Sequence, residues 1–449
     1  MGIVIVGGGF SGTMTAVHLA RLGVAGITLL ERREQPGQGV AYGTTLPCHL
    51  LNVPAGKMSA LASEPGQFVA WLQSNSPEHA NETAFVPRPV YARYLQSMLQ
   101  QHAAAIGVVR DEAIAIQRTD SGLLVETRGG DALPAARVVL ALGNFPPANP
   151  RISTPGFYSS RRYVAWAWAP HTYEGLEPAD AVLLIGSGLT MIDKALALLH
   201  RGHRGSIHVI SRRGMKPIRH ASAASWETLR GPAPREAKAL LKLVRAEVRA
   251  ARANGVDWRG VIDGLRPHTQ AIWRAMPLDE QRRFLRHLRH FWDVHRHRVA
   301  PEVADQLEAA IEGGAIHVHI GKLEGFHEDD SGVDALLKTA GGRERIRVQR
   351  VVNCTGPESN YRNLHHPLVA NLLEQGLIRT DALALGLDAD DDGALIGSDG
   401  KAEGRLFTLG PPLKGKLWET TAVPELRVQA EALARRIASF DHQGGGRRE

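Results

Sequence analysis

The chain has 449 residues, 43% of them hydrophobic and 22% charged. That composition supports a packed core in two or three domains and excludes a disordered chain. The net charge of +7 suits anionic small molecules as well as nucleic acid and selects neither. The two cysteines, Cys48 and Cys354, exclude a disulfide framework, a CxxC redox pair and a four-cysteine zinc site.

The opening Met1-Gly2-Ile3-Val4-Ile5-Val6 lacks a basic leader and a cleavage site, so no secretion signal is expected. No apolar run of 18 residues occurs, so no membrane span is expected and a cytoplasmic location follows. Ile3 to Val6 is a short β-branched run of the kind buried on both faces of a parallel sheet. It leads into Gly7-Gly8-Gly9-Phe10-Ser11-Gly12, a GxGxxG, and then a helical stripe of Ala16, Leu19 and Ala20 that Gly23 stops. A second strand, Gly26 to Leu30, ends in Glu31. In such a unit Gly7 allows the tight turn, Gly9 lets backbone approach a pyrophosphate, and Gly12 lets helix and strand pack closely. The amides around Phe10 and Ser11 and the helix dipole favour phosphate. Glu31 is placed to accept from an adenosine ribose.

Strands are also expected at residues 138–142, ending before Gly143, and at 346–352, ending before Gly356; each glycine would let backbone lie near a cofactor. Between them the first unit repeats. Residues 181–185 form a strand leading into Gly186-Ser187-Gly188-Leu189-Thr190-Met191, then a helix, Gly202, and a strand at 206–210. Met191 replaces the third glycine, so helix and strand are expected slightly further apart. The acid is also replaced, by Ser211-Arg212-Arg213. A hydroxyl and two guanidiniums suit a 2′-phosphate, which points to NADPH with NADH as the alternative. Two units with different ends imply two dinucleotides, FAD in the first and NADPH in the second.

A helical block is expected from about Trp226 to Gly313. One stripe is Leu240, Leu241, Val244 and Val248; another, on one long helix, is Phe284, Leu285, Leu288, Phe291, Trp292 and His295. His287, His290 and His297 stand off that stripe among Arg282, Arg283, Arg286, Arg289 and Arg296, and read as a solvated basic face rather than a metal site. No aromatics interleave with the basic residues, so nucleic acid is not expected as a partner. His295 faces the stripe and is a candidate substrate contact. Near the end, Thr420-Thr421-Ala422-Val423-Pro424 reads as a helix start, and residues 441–449 as a disordered tail.

Taken with the glycine turns, several stretches resemble the bacterial FAD/NAD(P)-binding proteins related to N-hydroxylating and flavin-containing monooxygenases. They are Gly39-Val40-Ala41-Tyr42, residues 49–55, Phe85-Val86-Pro87-Arg88, residues 139–144, residues 352–357, and Gly410-Pro411-Pro412 followed by residues 418–425. The resemblance covers nearly the whole chain. It implies an α/β fold of two Rossmann-like dinucleotide-binding domains, the NAD(P) domain inserted in the FAD domain. The corresponding division is 1–160 for FAD, 161–350 for NAD(P) with a helical insert at 226–313, and 351–440 for the return to the FAD domain. It further implies that Asn52 and Met58 line the flavin ring, Met58 being equally readable as core, and that Arg88 meets the FAD diphosphate or lies at the surface. The helix end at Thr421, beside Gly410, is implied to point at the flavin.

The implied activity is that of an FAD-dependent NAD(P)H oxidoreductase. The expected form is a monooxygenase that hydroxylates a small polar molecule with molecular oxygen through a flavin hydroperoxide. Urate is one candidate substrate. A reductase without oxygen insertion and a non-enzymatic redox-sensing module are the alternatives. No residue stands out as a general base, as expected where the cofactor carries the difficult chemistry, and the oligomeric state is not legible.

Overall fold

The computed structural model describes residues 2–444. The chain starts with β1 (Gly2–Val6), α1 (Phe10–Arg21) and β2 (Ile27–Leu30). Next come α2 (Gly39–Tyr42), α3 (Gln67–Asn75) and α4 (Arg88–Gln101). A run of strands closes this part: β3 (Ile106–Val109), β4 (Ala113–Thr119), β5 (Gly122–Thr127) and β6 (Ala132–Leu140).

A second sheet is built from β7 (Tyr163–Val164), β8 (Val182–Ile185), β9 (Ile207–Ser211), β10 (Ile316–Asp329), β11 (Gly332–Thr339), β12 (Gly342–Val348) and β13 (Arg350–Asn353). Helix α5 (Leu189–His200) joins β8 to β9. Between β9 and β10 lie six helices: α6 (Ala237–Ala253), α7 (Trp258–Leu265), α8 (Thr269–Ala275), α9 (Leu278–His287), α10 (Arg289–Arg296) and α11 (Pro301–Glu312). The chain then passes α12 (Pro367–Glu374) and returns to the first sheet as β14 (Ala394–Ile396) and β15 (Ala402–Thr408). It ends with α13 (Lys414–Leu417) and α14 (Val423–Gly444).

The first sheet runs β14-β15-β6-β1-β2-β3, and the second β12-β11-β10-β9-β8-β13-β7. Their centres are parallel: β1 pairs with β2 and β6, and β8 with β9 and β13. Burial shows why. Ile3 and Ile5 enter one apolar cluster while Val4 and Val6 enter another, so β1 is covered on both faces. Val182 and Leu184 are likewise divided from Leu183 and Ile185. A continuous apolar run satisfies a strand covered on both faces, and full burial of each such side chain contributes about 1.5–3 kcal/mol.

Three local expectations are corrected. Residues 346–352 are not one strand. β12 runs antiparallel to β11 while β13 joins the parallel core; Gln349 makes the break, donating its N–H to Ala181 O and accepting from Ala181 N through its side chain, both at 2.8 Å. The long helix of the insert is broken at Leu288, because α9 packs on α6 and α10 on α7. The helix α14 extends to Gly444, so residues 441–444 are helical rather than part of a tail; residues 445–449 lie outside the described residues. No helix among the described residues is long and apolar enough to cross a membrane.

Candidate functional site

An elongated cavity lies at the C-terminal edge of the first sheet. Its lining includes Gly7, Gly9, Phe10 and Ser11 from the first glycine turn, and Glu31, Arg32 and Arg33 after β2. Gly143 and Phe145 after β6 and Thr421 before α14 complete its far end. This is the crevice at the strand ends where open α/β sheets bind ligands.

The glycines are required by contacts. Gly7 has φ +102°, and a Cβ there would lie 2.4 Å from Ala141 O. A Cβ at Gly12 would lie 1.8 Å from Gly7 O, which is untenable. Gly9 caps α1 without a side-chain hydrogen bond, and the first turn carries no acid. The first amides of α1 are therefore open to an anion. Glu31 accepts from Gly8 N at 2.6 Å through one oxygen and from Arg33 N at 2.8 Å through the other. Arg33 also donates to Gly39 O at 2.8 Å, tying the Gly39–Tyr42 helix over the turn. The residue set fits FAD: uncapped amides for the diphosphate, an acid at one end, and at the other the N-terminus of α14, whose dipole favours negative charge. Gly410, φ +77°, braces that end by donating its N–H to Gln429 at 3.0 Å and accepting from Thr420 Oγ1 at 3.1 Å.

The second turn repeats the first at β8 and α5. Gly186 has φ +106°, and Gly188 caps α5 with no side-chain bond and no acid in the first turn. Leu189 and Thr190 are half-buried in that turn. Ser211 is committed to the loop itself: its Oγ accepts from Gly214 N at 3.1 Å and lies 2.9 Å from Ser187 Oγ. Arg212 and Arg213 are exposed. Burial first, then their positive charge, lowers the pKa of His290 at the start of α10. Periodicity along the insert places His290 on a solvated basic face and cannot report its proximity to these arginines after β9.

Asn52, Met58 and Arg88 do not line this cavity. Met58 is in the apolar core behind α1. Asn52 is half-buried and outside the cavity lining. Arg88 is buried and bonded to Asp193 of α5, at 2.9 and 3.1 Å, and to Leu50 O at 3.0 Å. A guanidinium so engaged is spent on the seam between the two halves rather than on a diphosphate. His49 reinforces it: its Nε2 meets Asp193 O at 2.9 Å and its Nδ1 meets Thr44 Oγ1 at 2.7 Å. Burial lowers the His49 pKa. Lys194, next along α5, has its ammonium 3.9 Å from the centre of the Trp168 ring, and burial lowers its pKa to about 8.

The helical insert is fastened to the first turn of α14 and to the segment before it. Arg266 bonds Glu425 at 2.7 and 2.9 Å, and Trp292 Nε1 donates to Glu419 at 2.6 Å. Arg296 is buried 3.8 Å from Glu419, and His297 lies at the same distance from it. Neither belongs to a solvated basic face, because Glu419 draws both inward. Burial raises the Glu419 pKa, but His297, Arg296, the Trp292 hydrogen bond and Lys414 together hold it below the usual carboxylate range.

Comparison with known proteins agrees with this geometry. Residues 4–145 match the profile of an FAD-NAD(P)-binding family. L-lysine 6-monooxygenase from Pseudomonas syringae superposes with a TM-score of 0.67 at 16% identity, covering 98% of this chain and 99% of that one. The ornithine N-hydroxylase of Kutzneria sp. 744 gives 0.65 at 16%, with the same coverage. Bacillithiol disulfide reductase from Bacillus cereus gives 0.58 at 14%, again over 98% and 99%. At these identities the likeness is one of fold. The fold and the two turns define the class: an α/β protein with paired Rossmann-like dinucleotide-binding domains. Residues 4–145 are the part that the FAD-NAD(P)-binding profile matches, and the whole chain shares the fold of these FAD-dependent enzymes.

Proposed function

We propose that this protein is an FAD-dependent NAD(P)H oxidoreductase, and within that class an NADPH-dependent flavin monooxygenase acting on a small polar molecule. The observation that carries the reading is the state of the two thiols in a protein with two dinucleotide turns. Burial pushes the Cys354 thiol up to about 12 and raises that of Cys48. Protonated thiols are poor nucleophiles and do not relay electrons to a disulfide. FAD, when bound, accepts hydride from a nicotinamide and in its reduced form reacts with oxygen.

The chain's own residues bind and orient. The amides at Gly9 to Ser11 hold one diphosphate and Glu31 a ribose. The amides at Gly188 to Thr190 hold the second diphosphate, and Arg212 and Arg213 the 2′-phosphate. The α14 dipole beside Thr421 favours the negative charge of the reduced cofactor. The similar lysine and ornithine hydroxylases make primary amines the first substrates to try, followed by sulfides and urate; no feature of the cavity singles out urate.

The test is to purify the protein, record its absorption spectrum and follow NADPH oxidation with oxygen uptake across that panel. Oxygen uptake stimulated by one substrate, mole for mole with NADPH, supports the reading. Anaerobic turnover with a quinone, without substrate-stimulated oxygen uptake, replaces it with the reductase reading. A protein that binds neither dinucleotide overturns both.

A further inference from the structure

The first cavity accounts for the glycine turns but leaves the helical insert without a task. Between α6, α7, α9 and α10 lies a cleft of about 640 Å³. Leu241, Val244, Val248, Ile262, Phe284 and Phe291 form its walls. Phe291 remains 50% exposed. An apolar concavity of this size, open to water, is a binding site rather than a packing fault.

Its rim decides the occupant. Arg245 and Arg249 border the cleft, four residues apart and so on one face of α6. Both are exposed, and neither is paired with a carboxylate among the described residues. The one acid of α6, Glu247, is engaged elsewhere: it accepts from Trp226 Nε1 at 2.8 Å and lies 3.9 Å from Arg230. Lys238 and Lys242 add to the same helix. Apolar walls under two free guanidiniums match a ligand with an apolar chain and an anionic head.

We infer that this cleft binds a single-chain anionic amphiphile, its chain among the α6, α7 and α9 side chains and its head group at Arg245 and Arg249. The inner wall includes Trp292, whose indole N–H is bonded to Glu419. An occupant therefore bears on the segment that leads to Thr421 in the first cavity. A smaller void beyond it reaches Trp418, which holds φ +61°, a conformation rare for a side chain of its size. The inference does not depend on the monooxygenase reading.

The test uses the full chain and its tryptophan fluorescence, since Trp258 and Trp292 line the cleft. Dodecanoate, kept below its micelle concentration, is expected to bind saturably with a Kd on the order of 10 µM. Dodecyltrimethylammonium is expected to bind at least tenfold more weakly. The double variant Arg245→Glu, Arg249→Glu should reverse that order, while Val244→Glu, inside the wall, should remove both signals. Far-ultraviolet circular dichroism checks that each variant is folded. Equal affinity for the two amphiphiles, or dodecanoate binding untouched by the double variant, overturns the inference. So does binding only to phosphatidylglycerol vesicles, or a concentration-dependent dimer that closes the cleft. Loss of flavin binding or of oxygen uptake would leave the fluorescence result standing, so failure of one reading is distinguishable from failure of the other.

Discussion

The two glycine turns are built on one plan and differ in how tightly they are packed. In the first, Cβ atoms at Gly7 and Gly12 would meet carbonyl oxygens at 2.4 and 1.8 Å, and one at Gly9 would lie 3.5 Å from Gly39. In the second, a Cβ at Gly186 would stand 3.0 Å from Cys354 O, and one at Gly188 would meet nothing within 4 Å. Met191, a buried residue of α5, occupies the position of Gly12. The need for glycine is thus set by what packs on the turn, and a loop closes over only the first. A covered turn suits a ligand that stays, and an open one suits a ligand that exchanges.

The sharpest way to break this comparison is one methyl group at each turn. Gly12→Ala must move the Gly7 carbonyl, and overpacking against backbone costs about 1–3 kcal/mol or more. The expected product is a colourless or insoluble protein. Gly188→Ala has open space and a φ of −84°, so it should keep wild-type flavin content while raising the KM for NADPH. Flavin absorbance and dinucleotide titration read both. Equal flavin loss from the two variants would end the distinction.

The next effect is at the seam between the turns. Arg88→Met strands Asp193 in a buried site, and breaking such a pair costs about 3–5 kcal/mol. Urea unfolding should show that loss, and adding Asp193→Leu should restore most of it. If the single variant unfolds like the wild type, the pair does not join the halves. A smaller change is expected at the open turn. Arg212→Ala with Arg213→Ala removes charge-assisted bonds worth about 1.5–3 kcal/mol each. The KM for NADPH should rise tenfold or more while that for NADH stays level. A parallel rise for both would place the arginines outside the 2′-phosphate site.

The sequence made the two turns legible because each is local: a buried strand, glycines at fixed spacing and a helix start within a short run of residues. Glu31 and Arg212 could be read from the ends of the next strands for the same reason. What escaped was whatever depends on distant segments meeting. Arg88 finds Asp193 more than a hundred residues away, so motif context left it between a diphosphate and the surface. Met58 carried both readings, and only packing decides for the core. The α9–α10 break follows from the neighbours of each half, which periodicity along one helix does not report. His297 and Arg296 looked like a basic face until Glu419, from the far end of the chain, was seen between them.

The mildest prediction separates the halves by acid. Burial, then His319 and His317, lowers His208 on the second sheet to about 4. Burial, then Arg298, lowers His220 beyond β9 to about 4. The unfolded chain takes up these protons near 6.5 and the folded chain only near 4. Unfolding therefore binds protons in between, and stability should decline as the pH falls from 6.5 towards 4. Replacing His208 by Gln removes one of the two groups and should flatten that decline without moving the midpoint at pH 7.5. Urea midpoints for wild type and variant across that range test it. Parallel curves would show that the acid sensitivity arises from other groups, such as Glu419 where the insert is fastened.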